Sequence, residues 1–169
     1  MHPTRFATLA LCLLSLCLAA SAQKPFVETT PGTPGPDGTP PQLSGIGSAK
    51  PGSMNELKLS CASAGGSAFL ITGATELAAP FAGGVLGPAP DHDVWGGVVN
   101  GDGKLSKTFR MPPSSVTGTQ VWVQYWIGSG QVSEWEASNT TAITVQDPMP
   151  TSALFPEARY SAGSLSFQN

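Results

Sequence analysis

Histidine, cysteine and charge are all scarce in this chain: of 169 residues, two are His, three are Cys and 11% are charged. Each scarcity removes a class of chemistry. Catalysis by a Ser-His-Asp or Cys-His set needs an imidazole beside its nucleophile. Beyond His2 the chain offers only His92, in the loop PAPDHDVW. Asp91 and Asp93 flank it, but neighbours on an extended chain point apart, and no second histidine completes a usual zinc set. His92 therefore reads as part of an exposed polar loop, and no metal or cofactor is expected. The few basic residues form no cluster, which argues against nucleic acid and against a polybasic membrane contact. No amphipathic helical repeat of useful length is present.

Two acidic motifs also fail as sites. The run NGDGK resembles the start of a calcium loop. With Asn100 as its first position, however, Lys104 and Met111 fall where such a loop needs an oxygen ligand and a bidentate Glu. Glu134 and Glu136 share one face of SEWEAS. They sit side by side rather than across a cleft, as a glycosidase pair must, and read as a solvated edge. No catalytic residue is assigned, and the chain is not expected to be an enzyme. Asn139-Thr140-Thr141 fits the N-glycosylation pattern.

What is present begins with an export signal. Residues 1–22 combine Arg5, an apolar run from Leu9 to Ala20 and the small-x-small site Ala20-Ser21-Ala22, which together form a secretory signal peptide cleaved before Gln23. The run is shorter than the roughly 18 residues of a membrane span. Cys12 and Cys17 each follow a leucine rather than the small residue that precedes a lipid-bearing cysteine. The expectation is a secreted or periplasmic protein with no membrane anchor after cleavage. Loss of Arg5 makes the product one unit more negative than the −3 of the whole chain. Cleavage also leaves Cys61 alone, so no intramolecular disulfide can form. In ELKLSC, Cys61 alternates with Leu57 and Leu59 and is expected in the core as a small apolar residue.

Residues 23–42, QKPFVETTPGTPGPDGTPPQ, are rich in proline and glycine and predict an extended linker. From residue 43 the pattern changes to period two. NELKLSC alternates as a half-buried strand does. SAFLITG is apolar on both faces and predicts a central strand. HDVWGGVV and KLSKTFRM flank Asn100-Gly101, the signature of a tight hairpin turn, with Leu105, Phe109 and Met111 on one face. TQVWVQYWI and TTAITVQ complete the set. Strands at this spacing predict a single all-β domain over 43–147, an antiparallel β-sandwich of immunoglobulin- or fibronectin-like architecture, with a closed barrel as the alternative. Residues 148–169 lack alternation and predict a loosely ordered tail or a strap across the domain.

The succession GTPPQLSGIGSAKPGSMNELKLSCASAGGSAFLITG, GGVLGPAP, NGDGKLSKTFRMP, GTQVWVQYWI and ASNTTAITV resembles an uncharacterised β-sandwich module of exported bacterial proteins. Such modules often stand at the C-terminal end of larger secreted proteins. The resemblance covers residues 40–146 and rests on Pro51-Gly52, Asp102-Gly103, Gly118, Gln124 and Ser138-Asn139. It implies the sandwich fold and export, and it brings no established activity.

The densest feature is VWVQYWI. In an extended strand Val121, Val123, Tyr125 and Ile127 share one face, while Trp122, Gln124 and Trp126 share the other. The β-branched face suits the inter-sheet core. The other face has two readings: a platform on which Trp122, Gln124 and Trp126 bind a ligand such as a glycan, or a surface covered by the tail or the linker, the commoner fate of large aromatics. Self-association is a third. Two roles follow: a binding or adhesion module of the cell envelope or extracellular space, with a glycan or an envelope protein as partner, or a structural domain that packs on itself or on a larger secreted protein.

Overall fold

In NELKLS the predicted alternation is realised: Leu57 and Leu59 are buried, and Lys58 points into solvent. The computed structural model describes residues 24–92, 94–128, 130–131 and 134–148. Residues 1–23, which include the expected signal peptide, and the expected tail beyond Pro148 lie outside the described residues. The strands are β1 Phe26–Thr30, β2 Gln42–Ile46, β3 Met54–Ser60, β4 Ser67–Gly73, β5 Glu76–Phe81, β6 Gly84–Pro88, β7 Val94–Val98, β8 Leu105–Arg110, β9 Gln120–Gly128, β10 Glu136–Ala137 and β11 Thr140–Thr144.

They form an antiparallel β-sandwich with an added third layer. One sheet runs β1-β11-β9-β4-β7, with β10 also on β9; the second runs β2-β3-β8. The core lies between them. Val123, Tyr125 and Ile127 of β9, Leu70 of β4 and Ile143 of β11 meet Leu43, Leu57 and Leu59 from the opposing sheet. This is the face of β9 that alternation assigned to the core, and SAFLITG lies inside the sheet between β9 and β7. Leu59→Ala should therefore lower stability by about 3 kcal/mol. Lys58→Ala, on the same strand but exposed, should change it by less than about 0.5 kcal/mol. Denaturant unfolding of both variants checks the assignment, and equal losses would mean that the wrong face has been placed inside.

The third layer is the hairpin β5-β6, closed by Ala82-Gly83 with φ of 47° and 80°. Two consecutive positive φ angles give the turn the twist that a two-residue hairpin favours. The hairpin packs on the outer face of the larger sheet, where Leu86 and Ala82 join Ile71, Trp126, Trp135 and Ala137 in a second apolar cluster.

Three expectations need correction. The stretch read as an extended linker contains β1, which pairs with β11 from Phe26↔Ile143 onward. Thr33 then bridges to Ala137, and Pro41 is fully buried. Prolines are tolerated around an edge strand, whose outer N–H groups have no partner to lose, and FVETT supplies β-branched residues for the strand itself. The Phe26 ring lies so close to Gly45 of β2 that no side chain could replace the glycine hydrogen there. The domain thus extends upstream of residue 43.

The turn at Asn100-Gly101 joins strands of different sheets, β7 and β8, rather than a hairpin pair. Asn100 organises it through its side chain: Oδ1 accepts N–H bonds from Asp102 at 3.0 Å and Lys104 at 2.9 Å. The positive φ falls on Gly103, at 70°. An Asx-type turn uses the same residues as a hairpin but lets the chain cross between layers.

Cys61 is exposed rather than buried. Strand β3 stops at Ser60, and Cys61 takes a φ of 57°. That left-handed step ends the alternation, so Ala62 becomes the next buried residue.

Candidate functional site

The aromatic strand is a covered face, not an open platform. Trp126 and Gln124 are both 0% exposed, and Trp122 is half-buried. The cover is β5-β6, with Thr33 of the supposed linker beside it; the tail, the other cover foreseen, lies outside the described residues. Phe81 meets Trp126 edge to face with centroids 4.9 Å apart. Gln124 is tied into three segments: Oε1 accepts the Gly87 N–H and the Trp126 Nε1–H at 3.0 Å each, and Nε2 donates to the carbonyls of Val85 and Ser138, also at 3.0 Å. A ligand could reach Gln124 or Trp126 only if the hairpin left, so the three-residue platform is withdrawn.

Glu134 and Glu136 also part company. Glu134 is exposed, whereas Glu136 is 2% exposed and its Oε1 accepts the Ser63 N–H at 2.6 Å. Glu136 is thus a structural tie rather than part of a solvated edge. Asn139 is buried as well. Its Oδ1 accepts the Leu43 N–H at 2.7 Å and its Nδ2 donates to the Leu43 carbonyl at 3.0 Å, as a neighbouring strand would. Ser138-Asn139 interrupts β10 and β11 along the edge of β9, and this lets Asn139 cross to β2.

Among the described residues an opening lies elsewhere, where β7 and β8 are the free edges of the two sheets. It is a half-open hollow of about 980 Å³. Its walls include Trp95, Lys107, Phe109 and Val121, all partly buried, and the exposed Asp91, His92 and Val94; beneath them Leu57, Leu70, Val123 and Ile143 belong to the packed core. The sequence of β7 accounts for the space. In VWGGV the alternate residues Trp95 and Gly97 are the less exposed ones, so the strand sends one large side chain inward, where its neighbours send several.

At the mouth, Asp91 Oδ1 accepts the Ala74 N–H at 2.9 Å, and the His92 N–H donates to the Thr72 carbonyl at 3.3 Å. Both contacts fix the loop. Among the described residues no group of three His, Cys, Asp or Glu side chains could hold a metal. Lys107 lies with its Nζ 4.3 Å from the centre of the Trp95 ring. The face of β8 that carries Leu105 and Phe109 also carries Lys107, and all three are partly buried while Ser106, Thr108 and Arg110 are exposed. A lysine between two core-facing residues of an alternating strand was readable in KLSKTFRM. The sequence reading passed over it.

Tyr125 borders this core and is 0% exposed, with no hydrogen-bond partner for its hydroxyl. Burial pushes the phenol up to about 12 from its ordinary value of 10.0. Below pH 10 the folded and unfolded chains both hold the proton. As pH rises from 10 towards 12 the unfolded chain releases it first, so the fold should lose stability across that window. Tyr125→Phe should abolish this contribution and, at neutral pH, raise stability by about 1 kcal/mol by removing an unpaired hydroxyl. Thermal melts of both proteins from neutral to alkaline pH would show the two curves diverging, and parallel curves would refute the assignment.

No protein-family model, curated protein or solved structure matches this chain.

Proposed function

We propose that this protein is an exported, non-catalytic binding module of the cell envelope or extracellular space, and that it takes an apolar ligand in the cleft at the β7–β8 side of the sandwich. The cleft is the observation that supports this reading. The hollow at the open side of the sandwich holds about 980 Å³. Small-molecule sites occupy roughly 300–1,000 Å³ and combine a mostly apolar lining with a few polar groups. Val94, Trp95, Phe109 and Val121 supply the first, and Asp91, His92 and Lys107 supply the second. The signal-like pattern of residues 1–22 is what supports export, and an N-terminus at Gln23 in mass spectra of secreted material is the check.

The test of binding is a methyl NMR titration with dodecanol, a neutral single-chain probe. Shifts concentrated on Val94 and Val121, and on Leu70 and Val123 beneath them, would support the cleft. Shifts absent, or scattered over the surface, would remove it.

A structural or assembly role is the second reading. It is favoured by β7, a free edge strand whose Val94 and Val98 are 57% and 65% exposed. Unpaired apolar edges invite pairing with another chain. Sedimentation of the wild type and of Val98→Lys tests it: a self-associating chain that the lysine disperses would favour assembly, and a monomer in both cases would exclude self-packing through this edge.

A further inference from the structure

We infer that the open side of the sandwich is covered by the chain itself: Leu154 and Phe155, in the segment that follows β11, lie across the hollow as a strap and compete with an apolar ligand there. The competition rests on the ligand reading. The strap rests only on the fold and on the chain beyond it.

The first observation is where the chain leaves the fold. Ile143 of β11 lines the hollow together with Val121, its partner on β9. Val145 is then bonded to Gly118 and Thr119, and the Gln146 N–H donates to the Ala49 carbonyl at 3.1 Å. Ala49 in turn donates its N–H to Asn55 at the start of β3, the end of the sandwich where β8 finishes. The described residues stop at Pro148, and residues 149–169 follow from this end.

The second observation is what this end exposes. Among the described residues four large apolar side chains are more than half exposed, Met54, Val94, Val98 and Val116, and all but Val98 belong to it. Met54 pairs with Arg110, Val116 lies in the loop bonded to Thr119, and Val94 lines the hollow beside Met111 and Pro112. Apolar surface gathered at one end of a domain is a place where a further segment packs.

The third is reach, and it selects the occupant. From β11 to β7 the larger sheet steps through β9 and β4, about 14 Å at the usual strand spacing. Phe155 stands seven residues beyond Pro148, and an extended chain covers about 23 Å in that length. Leu154-Phe155 is the first adjacent pair of large apolar residues after Pro148, and it can lie over Val94, Phe109 and Val121. Being tethered, it meets that wall at an effective concentration of about a millimolar, ahead of the same segment from a second copy.

The experiment uses the chain from Gln23 through Asn169 with a nitroxide at residue 152, attached through Ser152→Cys in a Cys61→Ser background. Cys61 is exposed, so its replacement is mild. The methyl signals of Val94 and Val121 should broaden and recover when the label is reduced, while those of Leu43, on β2, keep their intensity. Leu154→Ser with Phe155→Ser should abolish the broadening, in a chain whose circular dichroism is unchanged. Broadening that is absent from the first chain, or equal in both, would overturn the strap. So would broadening passed from a labelled chain to a separate, isotope-enriched one, which would make a second copy the occupant. Dodecanol should bind the serine variant about tenfold more tightly, as expected of a site that the strap leaves free about a tenth of the time. Equal dodecanol affinity would overturn the competition. If dodecanol binds neither chain, the ligand reading fails and the label still decides the strap.

Discussion

Trp126→Ala should cost about 4 to 5 kcal/mol, the upper part of the range for removing a large aromatic from a core. The ring is 0% exposed, contacts Phe81 edge to face, and donates its Nε1–H to Gln124. Truncation leaves a large void between the main sheet and β5-β6 and deprives Gln124 Oε1 of one donor. The small neighbours Ala82 and Ala137 have little to move into the gap. Since domains are stable by only about 5–15 kcal/mol, the variant should sit near its unfolding limit. Urea melts read the loss directly. A variant that melts like the wild type would mean that the hairpin does not rest on this ring in solution, and the outer face would again be open to a ligand.

The second large loss is expected from Gln124→Ala. One amide here satisfies four partners: the Gly87 N–H, the Trp126 Nε1–H and the carbonyls of Val85 and Ser138. Buried polar groups left unpaired cost about 1–3 kcal/mol each. Even with water recovering some of them, the total should reach about 4 kcal/mol. Gln124→Glu separates hydrogen bonding from volume. Its carboxylate can still accept from Gly87 and Trp126, but the carbonyls of Val85 and Ser138 then face negative charge. That variant should be destabilised more at neutral pH than at pH 4, where the carboxyl can protonate. Equal stability of Gln124→Glu and wild type at neutral pH would show that the side chain is wetter than its position implies.

The two faces of β9 were legible because alternation in a strand is a local property. Val121, Val123, Tyr125 and Ile127 could be separated from Trp122, Gln124 and Trp126 without knowing any neighbour. What covers the second face was not legible. The cover is built from ELAAPF and GVLGP, segments of alanine, proline and glycine with weak strand signals, and its turn uses Ala82 at a positive φ that alanine seldom adopts. Propensity points away from such a hairpin, and tertiary contact with Trp126 and Gln124 overrides it. The misplacement of Cys61 has a related origin: one left-handed residue shifts everything after it to the other face, and nothing in LSCAS announces that step. The cleft was half legible. Lys107 stands out in an alternating strand, but the hollow beside it depends on how the edges β7 and β8 lie, and that is set by the whole sandwich.

The burial of Asn139 bears on how this chain can be made. Its amide nitrogen donates to the Leu43 carbonyl and to Thr141 Oγ1, so the hydroxyl that completes the glycosylation pattern is also part of the lock. In a host whose export machinery attaches sugars to Asn-x-Thr as the chain emerges, modification and folding would compete for the same nitrogen. Leu43 lies 96 residues earlier and would already be waiting, so the outcome would turn on which reaches Asn139 first, the transferase or β2. A chain that lost this race would carry a bulky polar group where the two sheets are stitched together, and could close neither sheet edge around it. The same position is harmless in a host that lacks the transferase, so the choice of expression host becomes a folding variable for this chain.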